Sequence, residues 1–207
     1  MTADDSIGVL ARITAIFEVL GEGDDGIGVS ELAVRAGLPK STVSRLVSAL
    51  VRQHYLERDG TTIRLGLRLF ELGQLAETPQ LLRRAALPVM SALRTDTGGD
   101  VELAVRDGDD LVRLAVVRGR SSPAVPGAIG ERTPAATTIP GRAVLARSPL
   151  AGFLPDSPIA VAASPVGAIG SGVDAVLSVA LVTQGDSALG HLASAVSEAA
   201  AAIELRL

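Results

Sequence analysis

The sequence contains no cysteine, and histidine occurs only twice in its 207 residues. Without cysteine the chain can form neither a disulfide bond nor a thiolate metal ligand. The two histidines, His54 and His191, stand far apart in the sequence and are too few to build a zinc site by themselves. We therefore expect a protein that requires no metal ion and no other cofactor.

Long apolar runs and a basic leader are also missing. No uninterrupted apolar stretch reaches the length of about 18 residues that a membrane-spanning helix needs. The chain opens with the acidic MTADDSIGVL, where a secretory signal would carry basic residues. Only 2% of the residues are aromatic, but 47% are hydrophobic, mainly alanine, valine and leucine, which argues against wholesale disorder. The sequence predicts a folded cytoplasmic protein with no membrane partner.

A catalytic constellation is equally hard to find. His191 falls within an apolar helical pattern, and His54 follows another predicted helix. Three acids, Asp107, Asp109 and Asp110, fall in a predicted turn and not in a cleft. We therefore do not expect an enzyme.

Charge is distributed unevenly along the chain. The formal net charge is -4, which by itself argues against a general nucleic-acid coat protein. Residues 29–70, however, contain seven arginines or lysines against three acidic residues. Basic charge is thus concentrated in one segment, as neutralisation of DNA phosphates requires.

The clearest helical pattern lies inside this basic segment. Apolar residues recur at i, i+3, i+4 and i+7 as Val43, Leu46, Val47 and Leu50, which predicts one buried stripe. Polar and basic residues fall mostly on the opposite side. The helix is therefore expected to present hydrogen-bonding groups to solvent.

A shorter helix and a tight turn precede this helix. Ser30 can cap a helix that runs to about Ala36, Gly37 suits the positive φ of a helix C-terminus, and Pro39 fits the first turn of the next helix. This order is typical of a helix-turn-helix motif.

A predicted hairpin follows, with strands over 55–58 and 62–65 joined at Asp59-Gly60, and it makes the motif winged. An N-terminal helix over 6–20 completes the core, and an acidic loop follows that helix. We expect residues 1–66 to form a winged helix-turn-helix domain that binds double-stranded DNA. The candidate DNA contacts are Ser30, Lys40, Ser41, Thr42, Ser44, Arg45, Arg58 and Arg64.

The segment GLPKSTVSRLVSALVRQHYLERDGTTIRLGLRLFELG closely resembles the N-terminal domain of the IclR family of bacterial transcription regulators. The resemblance continues more weakly through DVELAVRDGDDLVRLAVVRG, TPAATTIPGRAVLA and AVAASPVGAIGSGVDAVLSVALV. It implies an α+β protein that binds a palindromic operator as a dimer or tetramer and responds to a small organic effector. Residues 67–78 would then be a linker helix that packs on a partner in a dimer, although a core helix explains its apolar pattern equally well.

Residues 79–207 are predicted to form a second α+β domain, similar to the GAF-like effector domain of the family but shortened. Thr78-Pro79 marks the expected domain boundary. Alternating helix and strand patterns predict an antiparallel sheet covered by helices. Helices are expected over 80–95, 141–147 and 188–207, strands over 101–105, 111–117, 159–166 and 174–183, and a loop folded over the sheet at 118–140.

The resemblance also implies an effector pocket in this domain. Its residues would be Thr138, Ile139, Pro140, Val161 and Ser178. The chain departs from the family pattern by carrying Ala136 for histidine, Arg142 for lysine, Val161 for cysteine and Ala180 for serine. About a dozen residues follow Arg147 where the family inserts several tens. We therefore expect a pocket that is more apolar, lacks one wall or is lost.

The sequence also fits one other class of protein. Helix-turn-helix shapes also occur in proteins that bind only other proteins, so the chain could be an oligomerisation scaffold with a vestigial winged domain. The two alternatives differ in their behaviour towards DNA. A scaffold would show no salt-dependent DNA binding, whereas a regulator would.

Overall fold

The computed structural model describes residues 3–23, 26–120, 127–167, 174–183 and 187–207. The chain divides into two compact parts, here called the N-terminal unit, Met1–Ala76, and the C-terminal unit, Glu77–Leu207. The boundary falls slightly before residue 79, because Thr78 and Pro79 lie in the first turn of a helix that starts at Glu77. Proline is tolerated there, since the N–H that it lacks would have no partner in the first helical turn.

The N-terminal unit is a winged helix-turn-helix fold with a small antiparallel sheet of order β1-β3-β2. Its elements are α1 (Ala3–Gly21), β1 (Ile27–Gly28), α2 (Val29–Arg35), α3 (Lys40–Arg52), β2 (Leu56–Asp59), β3 (Thr62–Leu65) and α4 (Leu67–Gln74). The predicted hairpin is present, with Gly60 and Thr61 as its turn, one residue later than predicted. Gly37 has the positive φ expected between α2 and α3, at 64°.

Three of the four residues in the predicted apolar stripe of α3 are buried, and the fourth, Leu46, is half-buried. Val43 and Val47 are fully buried and Leu50 is 9% exposed, and all three pack with residues of α1, α2 and the sheet. Burying a Val or Leu side chain contributes about 1.5–3 kcal/mol each. This packing fixes the rotation of α3 about its axis, so the polar side of the helix faces solvent.

Two details of the N-terminal unit differ from the sequence prediction. Ser30 does not cap α2: the helix begins at Val29, two residues before the start that a Ser30 cap would give, and Gly28 is the N-cap without a side-chain hydrogen bond. Ile27 and Gly28 pair with β3 as a third strand, because the apolar Ile27 fills the core between the sheet and α1. A strand of two residues is too short to show an alternating pattern, so the sequence predicts a loop at this place. The rest of that predicted acidic loop includes residues 24 and 25, which lie outside the described residues.

The C-terminal unit is an antiparallel six-stranded sheet with helices on both faces. Its elements are α5 (Glu77–Thr97), β4 (Asp100–Asp107), β5 (Asp110–Val117), β6 (Arg132–Pro134), a 3-10 helix (Ala135–Thr137), α6 (Ile139–Ala146), β7 (Leu150–Phe153), β8 (Ile159–Val166), β9 (Ala175–Val182) and α7 (Ser187–Glu204). The strand order is β6-β5-β4-β9-β8-β7. Helices α5 and α7 cover one face with the larger core, and α6 covers part of the other.

A β-bulge in β5 changes which side chains point to the α6 face. Leu103 pairs with Ala115, but its neighbour Ala104 pairs with Arg113, so Leu114 is an extra residue in β5. Leu114 and Ala115 both pack in the core beneath α5 and α7, while Arg113 and Leu111 turn to the other face. An extra residue reverses the alternation of the strand beyond it. The bulge therefore points Arg113 towards the α6 side of the sheet.

Two short strands of the sheet were not predicted from the sequence. Residues 132–134, inside the predicted loop 118–140, pair with β5 as the edge strand β6. Residues 150–153, inside the shortened segment after Arg147, pair with β8 as β7. Edge strands of three or four residues carry too little pattern to be recognised from sequence. Residues 121–126 of that loop, and residues 168–173 between β8 and β9, lie outside the described residues.

No helix in the described part of the chain is both long enough and apolar enough to cross a membrane.

Candidate functional site

The polar side of α3 forms the first candidate site. Ser41, Ser44, Arg45 and Ser48 follow one another at i, i+3, i+4 and i+7 and are all exposed, while Thr42 is half-buried beside them. Ser48 donates a hydrogen bond to the carbonyl oxygen of Ser44 at 2.8 Å, so its hydroxyl is partly occupied within the helix. The helix thus presents a continuous row of small hydroxyl groups around one long cation.

The cations of the N-terminal unit differ in their ion pairs. Arg35 pairs with Glu22 at 2.6 Å, and Arg64 on the wing pairs with Asp59 at 3.4 Å. Within the described residues no carboxylate lies within 4.0 Å of four other cations of this unit. They are Lys40, Arg45, Arg52 and Arg58. Most of the cations available for an anionic partner are therefore those of α3 and the tip of the wing, and Arg12 on α1 likewise has no described carboxylate within 4.0 Å.

The predicted DNA contacts occupy two parts of this surface. Lys40, Ser41, Thr42, Ser44 and Arg45 lie on the first turns of α3, and Arg58 and Arg64 lie on the paired strands β2 and β3. Ser30 is exposed on α2. Because α3 and the wing belong to one packed unit, these groups are held on a common scaffold.

The second candidate site is a cavity of about 430 Å³ in the C-terminal unit, on the α6 face of the sheet. A volume of this size falls in the usual range for small-molecule pockets. All five effector residues predicted from the family resemblance line it. The lining consists of Glu102, Ala104, Leu111, Arg113, Glu131, Thr133, Thr137, Thr138, Ile139, Pro140, Arg142, Gly152, Phe153, Leu154, Pro155, Val161, Ser178 and Ala180.

Some of the predicted lining residues also hold the cavity together. The hydroxyl oxygen of Thr138 accepts a hydrogen bond from the backbone N–H of Gly141 at 3.1 Å and so caps α6. A Cβ at Gly141 would lie 2.0 Å from the carbonyl oxygen of Ala135, so only glycine allows this approach. Ser178, 6% exposed, stands on β9 directly across from Glu102 on β4.

A charged group that the sequence prediction missed lies at one side of the cavity. Arg113 donates from Nε to Glu102 Oε2 at 3.0 Å and from Nη1 to Glu131 Oε2 at 2.7 Å. The Arg113 and Glu102 side chains are only 12% and 17% exposed, whereas Glu131 is 41% exposed. Burial raises the pKa of the Glu102 carboxyl, and the attraction of Arg113 offsets this only in part.

A cavity is present where the family resemblance predicts one, and its lining combines a largely apolar surface with the charged groups of Glu102, Arg113 and Glu131. Polar groups come from β4, β5 and β6 at places that the family motifs do not mark, and the bulge that points Arg113 inward has no sequence pattern. Gly152, Phe153 and Leu154, at the end of β7 within the shortened segment, line one part of the cavity.

The N-terminal unit matches a known family of DNA-binding domains. The IclR helix-turn-helix domain matches residues 9–60. The chain is 34% identical over 122 residues to the HTH-type transcriptional regulator KipR of Bacillus subtilis, covering 58% of this chain and 49% of that protein. It is 32% identical over 155 residues to the HTH-type transcriptional regulator TtgV of Pseudomonas putida, covering 71% of this chain and 59% of that protein. The chain therefore spans about half the length of the curated relatives it matches.

A solved structure shares the fold over nearly the whole chain. It is an IclR homologue from Microbacterium hydrocarbonoxydans complexed with 4-hydroxybenzoate, at 24% identity and a TM-score of 0.82. The match covers 96% of this chain and 98% of that one. The predicted α+β architecture, with a helix-turn-helix unit followed by an antiparallel sheet with helices, is confirmed. The names of these relatives also agree with the expectation that the chain is not an enzyme.

Proposed function

The chain belongs to the IclR family, and from this membership we propose that it regulates transcription by binding DNA through α3. One observation carries the proposal. The exposed side of α3 offers three serines around Arg45, flanked by cations that no described carboxylate neutralises. Protein surfaces that neutralise phosphates need such available cations, and hydroxyl groups can bond to either phosphates or base edges.

In the proposed complex α3 lies in the major groove. Lys40, Ser41 and Thr42 at its N-terminal end contact phosphates and base edges. Arg45, one turn further, pairs with a guanine through its planar guanidinium, which fits the two acceptors of that base. Arg58 on the wing contacts the neighbouring backbone, and Arg64 does so once it leaves Asp59.

Two copies of the chain on a palindromic operator are the form expected to reach useful affinity, since one such unit buries a small interface. Helix α4 supports this proposal. None of its residues is buried, and Leu67 and Phe70 are 61% and 64% exposed. Leu75 directly after it is 74% exposed. Large apolar side chains exposed together are typical of an interaction surface, and we assign it to a second copy of the chain.

The cavity in the C-terminal unit supports control by a small organic effector. Its volume suits a molecule of about the size of the 4-hydroxybenzoate bound by the Microbacterium homologue. Bound effector changes DNA affinity only by favouring one arrangement of the two DNA-binding units over another. The residues proposed to contact it are Thr138, Ile139, Pro140, Val161 and Ser178.

Selection from a pool of randomised DNA duplexes tests the proposal and does not require the operator sequence. We expect the protein to enrich a palindrome whose half-sites are separated by about one helical turn, or a multiple of it. Sequencing the bound duplexes after several rounds gives the result. Recovery of duplexes with no common motif would contradict a sequence-specific regulator and favour the scaffold.

A further inference from the structure

Two exposed side chains of opposite charge line the cavity of the C-terminal unit. Glu131, which directly precedes β6, has a side chain that is 41% exposed. Arg142 lies on α6 and is also exposed. They differ in this from Glu102 and Arg113, which line the same cavity but are largely buried. A molecule that enters the cavity can therefore reach Glu131 and Arg142 without displacing a buried side chain.

The positive charge of Arg142 is not used within the described part of the protein. Among the described residues, no carboxylate lies within 4.0 Å of its guanidinium, and the guanidinium donates no hydrogen bond to a described group. A guanidinium presents paired N–H donors that match the two oxygens of a carboxylate. Arg142 can therefore bind a carboxylate that enters the cavity.

The negative charge of Glu131 is only partly balanced by its neighbours. Its Oε2 accepts hydrogen bonds from Arg113 Nη1 at 2.7 Å and from the backbone N–H of Ala128 at 3.0 Å, while no described group donates to its Oε1. Arg113 also donates from Nε to Glu102 at 3.0 Å, so one guanidinium serves two carboxylates. These three side chains carry an excess of one negative charge when both acids are ionised. Glu131 is the exposed acid of the three, so an ammonium group can approach it.

Glu131 and Arg142 do not neutralise each other. Among the described residues the ion pair of Glu131 is formed with Arg113, and no Glu131 oxygen lies within 4.0 Å of an Arg142 nitrogen. A ligand with a carboxylate alone would bind Arg142 but would add a negative charge to the cavity that Glu131 lines. A ligand with an ammonium alone would add a positive charge near Arg142. A ligand with both groups matches both side chains.

We propose that the effector carries both an ammonium group and a carboxylate on an apolar body, as an apolar amino acid does. The ammonium group donates to Glu131, and the carboxylate accepts from Arg142. The apolar body lies against Leu111, Phe153 and Val161, which belong to the same lining. This inference rests on the proposed role of the cavity as an effector site and adds the chemical class of the effector.

Isothermal titration calorimetry of the full chain tests this with two sets of compounds. In the first set phenylalanine carries both charged groups on one carbon, while phenethylamine and hydrocinnamate each keep one of them. In the second set para-(aminomethyl)benzoate carries the two groups at opposite ends of a ring, while para-methylbenzylamine and para-methylbenzoate each keep one. In at least one set we expect the doubly charged compound to bind at least about fivefold more tightly than both counterparts, because each charged group gains charge-assisted hydrogen bonds.

Variants of the two exposed residues assign each charged group of the ligand to its partner. Glu131→Gln should weaken binding of the doubly charged compound and of the amine by several-fold, but not binding of the acid. Arg142→Gln should weaken binding of the doubly charged compound and of the acid, but not of the amine, and Arg142→Lys should retain most of the affinity. Glu198→Gln and Arg206→Gln make the same charge changes at exposed positions outside the cavity lining and should alter no affinity.

A singly charged compound that binds as tightly as the doubly charged one in both sets would overturn the inference, as would binding of none of the six compounds. Equal losses for the amine and the acid in Glu131→Gln or in Arg142→Gln would also overturn it. Calorimetry needs no DNA, so these outcomes are separate from the regulator proposal. Loss of sequence-specific DNA binding would contradict the regulator alone. Intact DNA binding without the expected ligand order would contradict the effector class alone.

Discussion

At the scale of single residues, the largely buried charged side chains of Arg113 and Glu102 stand at positions that no local sequence pattern identifies. Arg113 would face the core beneath α5 and α7 if β5 were regular, and one extra residue, Leu114, points it at the cavity instead. There it donates a hydrogen bond to Glu102. The carboxyl of Glu102 is buried, and its second oxygen accepts no hydrogen bond from any described group. The cost of that burial should be visible in the stability of the folded chain.

The stability of the protein should depend on pH through Glu102. Its pKa in the folded chain is raised mainly by burial, so the native state favours the protonated acid. The stabilisation is complete below about pH 4.5, its ordinary pKa, and is lost as the pH rises through the folded value. Relative to Glu102→Gln, which stays neutral, the melting temperature of the wild type should therefore fall as the pH rises from 4 to 8. A difference that grows in favour of the wild type with rising pH would mean that Arg113 outweighs burial.

The two arginines of the wing should contribute unequally to DNA binding. Arg64 is held by Asp59 at 3.4 Å, whereas Arg58 has no carboxylate within 4.0 Å among the described residues. We expect Arg58→Ala to weaken binding by several-fold and Arg64→Ala to weaken it less, as measured by titration of fluorescent duplex DNA. Asp59→Asn, which frees Arg64 and removes a negative charge, should tighten binding. Equal losses from both alanine variants would argue against a role for the ion pair.

At the scale of helices and strands, long elements could be predicted from the sequence and short ones could not. Helices α3, α5 and α7 have several turns, so their existence could be predicted from the sequence, and the apolar stripe of α3 also predicted its buried side. Strands β1, β6 and β7 have two to four residues and are defined by pairing with distant strands. Such pairing is a tertiary effect that local sequence does not record.

Dependence on strand pairing also explains why some residues that line the cavity could not be predicted from the sequence. Residues at positions of the family motifs, such as Thr138 and Val161, could be located from the sequence, and they do line the cavity. Glu102 and Arg113 could not, because their side chains meet only through the β4 and β5 pairing and the bulge within it. The Phe153 wall likewise depends on the pairing of β7 with β8.

The junction between the wing and α4 depends on a glycine. A Cβ at Gly66 would lie 2.3 Å from the carbonyl oxygen of His54, and the Gly66 N–H donates to the carbonyl oxygen of Tyr55 at 2.8 Å. His54 itself has a positive φ of 61°, so that backbone has little freedom to move. Gly66→Ala should therefore destabilise the protein by at least about 2 kcal/mol, as measured by urea unfolding.

Gly73 provides the matched control for this prediction. It lies inside α4, and a Cβ there would meet nothing within 4 Å. Gly73→Ala should be neutral or stabilising by about 0.5–1 kcal/mol, since alanine favours helix. Similar losses of stability in both variants would show that the close approach at Gly66 is not the cause.

At the scale of the whole molecule, the proposed regulator needs two copies of the chain to act together. The apolar side chains on and beside α4 are the surface assigned to that contact. Phe70→Ser should shift the protein towards monomer in analytical ultracentrifugation. It should also weaken operator binding, because two separate monomers would then bind the two half-sites independently of each other. Leu205→Ser, at a residue that is 89% exposed on the C-terminal unit, is the matched control and should change neither. An unchanged oligomeric state in Phe70→Ser would rule out α4 as the contact.

A fluorescence-anisotropy titration decides whether α3 recognises a DNA sequence. The full chain is titrated onto the duplex upstream of its own gene and onto a scrambled duplex of equal length, at two salt concentrations. Arg45→Ala and the control Arg206→Ala are measured beside it. We predict tight binding to the first duplex, weakened by salt and by at least about tenfold in Arg45→Ala, with Arg206→Ala unchanged. Equal binding to the two duplexes, no binding to either, or binding that Arg45→Ala leaves unchanged would contradict sequence recognition by α3.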